Sequence, residues 1–129
     1  EGDRMKGIAA YSRTRVESAP NDQLLVMLLE KAMEKETLAM VAIAAGDRVT
    51  WNAALHHTRA IFIELLAALD GEPAPALAQA VSTTYRWSIH QLTVAARTGD
   101  ATLVERVREA TATLHSAWSA AVATGQEAA

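Results

Sequence analysis

Four times along this 129-residue chain, apolar side chains recur at every third or fourth position for about 21 to 24 residues, the spacing that gives an α-helix one apolar side. The repeats are set off by PND at 20–22, AAGD at 44–47, DGEPAP at 70–75 and TGD at 98–100, residues that form turns and end helices. In the first segment Leu25, Leu28, Leu29, Ala32, Ala39 and Ile43 share a side, and in the second Trp51, Leu55, Thr58, Phe62, Leu65 and Leu69 do so. The third offers Leu77, Val81, Tyr85, Ser88, Leu92 and Ala95; the fourth offers Leu103, Val107, Ala110, Leu114, Trp118 and Ala121. A helix with one apolar stripe needs that stripe covered. Four of similar length on short connections cover one another as an antiparallel up-down four-helix bundle. The sequence therefore predicts an all-α fold, with residues 1–20 as an irregular or short-helical N-terminal arm, 21–124 as the bundle and 125–129 as a short tail. Residues 1–4 precede Met5 and are set aside from the fold.

The turn chemistry agrees with these cuts. Asp22 or Asn21, Asp47 and Asp100 can accept hydrogen bonds from the free N–H groups that open the first, second and fourth helices. Gly46 and Gly99 can take the left-handed conformation that closes a helix. The three prolines stand outside the periodic segments and alanine is abundant, which favours helices because the two residues sit at opposite ends of the propensity scale. With no cysteine, neither a disulfide nor a thiolate metal site can hold the fold. One residue conflicts with the pattern: Glu36 projects into the apolar sector of the first helix, where it either marks an edge or needs a partner.

Composition narrows the function. A formal net charge of −3 disfavours phosphate-backbone binding, which needs clustered Lys and Arg, so no nucleic-acid partner is expected. No apolar run approaches the roughly 18 residues of a membrane span, and no charged-then-apolar leader opens the chain. No membrane insertion is expected, and the default location is the cytoplasm. A di-iron bundle carries Glu-x-x-His on two helices, but Ala53, Ala54, Trp87 and Ala112 stand three residues before His56, His57, His90 and His115. Neither a metal nor another cofactor is expected. His56-His57-Thr58-Arg59-Ala60 is similar to the mid-helix histidine of phosphotransfer domains, with Arg59 for the usual Lys and Ala60 for the usual Gly; a solvated histidine pair explains it more simply. No Ser, His and Asp fall on a strand-turn-helix elbow. No catalytic residue is assigned, and the chain reads as a binding protein, not an enzyme.

What stands out are apolar residues on the wrong side. Met27 shares the charged face of the first helix with Glu30 and Glu34. Ile63 sits with His56 on the outer side of the second, and Trp87 and Val94, one heptad apart, lie off the main stripe of the third. Ile8, Tyr11 and Val16 stand among arginines and serines before any regular repeat begins. Single exposed apolar residues are ordinary. As a group they mark edges covered by neighbouring helices or by a second copy in a homodimer, or else a groove for a partner helix. A self-associating structural bundle is the bland alternative to a heterologous partner.

Order and spacing then add a resemblance. Ile8-x-x-Tyr11, Val16-Glu17-Ser18-Ala19, Leu24-x-x-Met27-Leu28 with Glu30-x-Ala32, Gly46-Asp47, Leu69-Asp70, Thr84-Tyr85-x-Trp87 with Leu92 and Ala95, Asp100, and Ala117-Trp118 together resemble the FliS family of flagellin export chaperones. The resemblance runs from about Gly7 to Trp118. It implies a cytosolic four-helix chaperone that binds the disordered C-terminal region of flagellin, prevents premature polymerisation and presents its cargo to the FlhA component of the type III flagellar export gate. It also implies that the family's N-terminal Ile and Tyr, associated with flagellin binding, fall on Ile8 and Tyr11. Beside them, Val16, Met27, Ile63, Trp87 and Val94 complete the candidate flagellin-binding set. The chain departs from the pattern at Ala19-Pro20-Asn21, where the family has Ser-Pro, and at Leu28-Leu29-Glu30-Lys31-Ala32, where it has Leu-Tyr-x-Gly-Ala. Glu36 also falls where the family is commonly apolar.

Overall fold

Each apolar repeat becomes one helix. The computed structural model describes residues 19–72 and 74–128, which form α1 (Ala19–Ala44), α2 (Arg48–Ala67), α3 (Pro75–Thr98) and α4 (Ala101–Ala128), with no strand among the described residues. Ile8, Tyr11 and Val16 lie outside them. α1 packs on α2 and α4, and α3 packs on the same two, most lightly on α4. Consecutive helices are thus neighbours and the first meets the last, which is the up-down bundle that short connections impose.

The stripes meet in the middle as the spacing predicts. Leu29, Leu55, Phe62, Tyr85, Leu92 and Trp118 are fully buried, and the rings of Phe62 and Tyr85 meet at 5.8 Å and 51°. Leu25, Leu28, Ile43, Trp51, Leu69, Leu77 and Leu103 close the core from its edges. Buried Ala32, Ala39, Ala54, Ala95, Ala117 and Ala121 let the helices approach closely, because short side chains reduce the distance between axes.

α1 starts at Ala19, ahead of the expected Asn21 or Asp22 cap. Pro20 lies in its first turn, where a missing N–H costs nothing because that group has no intrahelical partner. Asp22 therefore sits within the turn and is buried. The other caps form as expected. Asp47 accepts from the Thr50 N–H at 3.2 Å and from the Thr50 hydroxyl at 2.6 Å, bonds that hold its carboxyl below its ordinary range. Asp100 accepts from the Thr102 N–H at 3.0 Å, and Gly46 and Gly99 adopt φ of 70° and 69°.

The end of the bundle where α2 begins and α3 finishes is clasped. The Trp51 indole N–H donates to the Ala96 carbonyl at 3.0 Å, and Arg48 donates to the Arg97 carbonyl at 3.0 Å while lying 5.7 Å over the Trp51 ring. The guanidinium thus neutralises carbonyls that the end of α3 leaves without helical donors. A Cβ on Gly99 would lie 3.0 Å from the Trp51 ring, so that glycine is required by contact as well as by its positive φ.

Glu36, the residue at odds with its helix, is completely buried and finds its partner across the core. Its Oε2 lies 2.9 Å from the Thr111 hydroxyl of α4, which itself donates to the Val107 carbonyl at 2.8 Å. A hydroxyl has one proton. With Glu36 protonated, the carboxyl donates to Thr111 and Thr111 donates onward, so both contacts are satisfied. Burial favours that neutral form and raises the pKa to about 8, against the opposing pull of Thr111 and the Arg108 charge.

Candidate partner-binding surface

The off-stripe residues are placed by helical phase alone. Met27 lies on α1 opposite the buried Leu29, Ala32 and Ala39, and it is 64% exposed; Ile63 is 55% exposed on the outer side of α2. Trp87 is 37% exposed, and Val94, one heptad on, is half-buried. Thr93 takes a hydrogen bond from Arg59 of α2 and Ala96 takes one from Trp51. That fixes which flank of α3 faces α2, and Trp87 and Val94 lie on the other.

The structure brings Trp87 and Val94 onto one flank, while Met27 and Ile63 stand on two other helices. None of the four lines either of the two clefts found among the described residues. They mark positions around the bundle rather than a single pocket, which suits a ligand that is extended.

Among the described residues, two clefts lie at the end opposite the clasp. One, of about 250 Å³, is walled by Leu24, Leu25 and Leu28 of α1 and by Leu65, Ala68 and Leu69 at the close of α2, with Asp22 and Glu64 completing its lining. The other, of about 480 Å³, runs from Leu66 and Leu69 past Pro75 and Ala78 to Gln79, Ser82, Thr83 and Arg86. Leu69 borders both. The first has an apolar wall suited to a leucine-sized side chain, and the second has polar donors and acceptors along α3. Leu24, Leu38, Val41 and Val49 are further large exposed apolar residues, and reading the whole circumference of α1 and α2 would have found them beside Met27 and Ile63.

The charged groups here are those of a solvated face. Lys31 pairs with Glu34 at 3.8 Å on exposed α1, and His115 of α4 approaches Glu30 at 3.4 Å. His56 and His57 are both exposed on α2, the solvated pair that the sequence suggests. Among the described residues no group of His, Asp or Glu could hold a metal ion, and no helix is long and apolar enough to cross a membrane.

No curated protein matches this chain. The family model described as flagellar protein FliS matches residues 4–125, nearly the full length and all four helices. The chain belongs to the FliS family of flagellar export chaperones.

Proposed function

We propose that this protein binds the disordered C-terminal region of flagellin in the bacterial cytosol, prevents its premature polymerisation and hands it to FlhA at the export gate. The observation that carries the reading is the exposure of Met27, Ile63 and Trp87 on three different helices of a FliS-family bundle. A disordered ligand loses chain entropy when it binds, and a long apolar path is what offsets that loss. Anchors spread over three helices supply such a path, with Val94 continuing it along α3. Ile8, Tyr11 and Val16 belong to the same set.

Titration calorimetry with the C-terminal peptide of the cognate flagellin tests the reading. Binding with a large negative heat-capacity change is expected, because apolar surface leaves water. Tyr11→Ala should weaken it while leaving the melting temperature nearly unchanged. No heat at concentrations of about 50 μM, well inside the range where a chaperone with micromolar affinity would bind, would refute the proposal.

A further inference from the structure

The exposed side of α1 carries a second pattern. Leu24, Met27, Lys31, Glu34, Leu38 and Val41 are spaced alternately by three and four residues and are all exposed, which is the seam of a coiled coil on the outside of the bundle. The four apolar members are between 42% and 64% exposed, high values for large apolar side chains set in register. The seam lies opposite the buried stripe of Leu29, Ala32, Glu36 and Ala39, so α2 and α4 leave it open.

The pattern is symmetric about the peptide between Ala32 and Met33. Leu24 and Val41 are equidistant from that point, as are Met27 and Leu38, and as are Lys31 and Glu34. We propose that two copies of this chain associate through α1, antiparallel about a two-fold axis at Ala32–Met33, with Leu24 on Val41, Met27 on Leu38 and Lys31 on Glu34 of the other copy. An isologous interface requires a patch complementary to itself. Here each layer sets apolar on apolar at both ends and opposite charges at the centre.

The charges choose both occupant and direction. A parallel pair would place lysine on lysine and glutamate on glutamate, which repels. A wholly apolar foreign helix would cover Lys31 and Glu34 with nothing to answer either charge beyond their own 3.8 Å contact. A second copy running the other way answers both. The seam spans 17 residue steps, about 26 Å at 1.5 Å per residue, and an interface of that length belongs to the small, reversible class. Met27 belongs both to this seam and to the flagellin-binding set, so on α1 the second copy and the cargo take the same exposed face in turn.

Sedimentation equilibrium of the full chain from about 1 μM to about 500 μM, a range that brackets weak dimers, should show a monomer-dimer equilibrium. Lys31→Glu and Glu34→Lys should each raise the dissociation constant about tenfold, since each places like charges together twice, and an equimolar mixture of the two variants should restore association. The absence of native cysteine permits a register test. Met27→Cys mixed with Leu38→Cys should give an interchain disulfide on oxidation. Met27→Cys alone should not, because its two copies would stand roughly 16 Å apart along the seam, beyond disulfide reach. All four positions are exposed, and unchanged circular dichroism confirms that the variants fold. A monomer across the whole range, single charge reversals without effect, or cross-linking of Met27→Cys to itself in place of Leu38→Cys would each overturn the proposal.

Discussion

Replacing Glu36 with glutamine should stabilise the bundle by an amount that grows with pH. In the native state burial lifts the Glu36 pKa from 4.5 to about 8, so between those values the folded protein holds a proton that the unfolded chain has released. Stability from this group is fully present below pH 4.5 and is lost as pH rises through about 8. Each unit of the gap corresponds to about 1.4 kcal/mol. The wild-type protein therefore gives up about 3 kcal/mol by pH 7 and about 5 kcal/mol above pH 8. Glutamine has nearly the same shape, stays neutral throughout and can donate its amide N–H to Thr111 as the protonated acid does. Every other titrating group is common to the two proteins and cancels in the comparison. Urea unfolding at pH 4.5, 7 and 8.5 should show near-equal stabilities in acid and a widening advantage for Glu36→Gln above it. A difference that stays constant with pH, or a variant weaker at every pH, would refute the assignment of Glu36 as a buried neutral acid.

Leu65 is buried where α2 meets the core, and Leu65→Ala should cost about 2 to 5 kcal/mol in urea unfolding. Met27→Ser, at an exposed site, should stay within about 0.5 kcal/mol of wild type by the same measurement. Gly99→Ala combines a positive φ with a 3.0 Å approach to Trp51 and should destabilise by about 1 kcal/mol or more, with a change in tryptophan fluorescence marking the displaced ring. Asp47→Ala removes the cap of α2 and should lower the melting temperature at neutral pH. That deficit should close in acid as pH falls through the depressed Asp47 pKa, since its bonds to Thr50 favour the ionised form.

The parts of the fold readable in the sequence are those that depend on one helix at a time. Which face of α2 is buried follows from the spacing of Leu55, Phe62 and Leu65, and the same logic places Met27 and Ile63 outside. The capping aspartates at 47 and 100 and the glycines at 46 and 99 act within a few residues, so they too are legible. What depends on two helices is not. Glu36 announces its need for a partner, but nothing along the chain points to Thr111, 75 positions away. The cleft between α1 and α2 exists only because Leu24 and Leu28 come to stand across from Leu65 and Leu69. The first turn of α1 was hidden by Pro20, which reads as a stop yet is at home in a helix's opening turn. The symmetric seam on α1 is local and was readable, though its meaning appears only once every member is seen to be exposed.

The two ends of the bundle are built differently, and that difference should be visible as time. Where Trp51, Arg48 and Gly99 clasp α2 to α3, backbone amides around residues 95–99 should exchange slowly, because the clasp has to release first. At the far end the helices part around two clefts with Leu69 between them, and amides near residues 66–72 should need only a local excursion. Slow exchange at the clasp and fast exchange at the clefts would make this a molecule that breathes from one side.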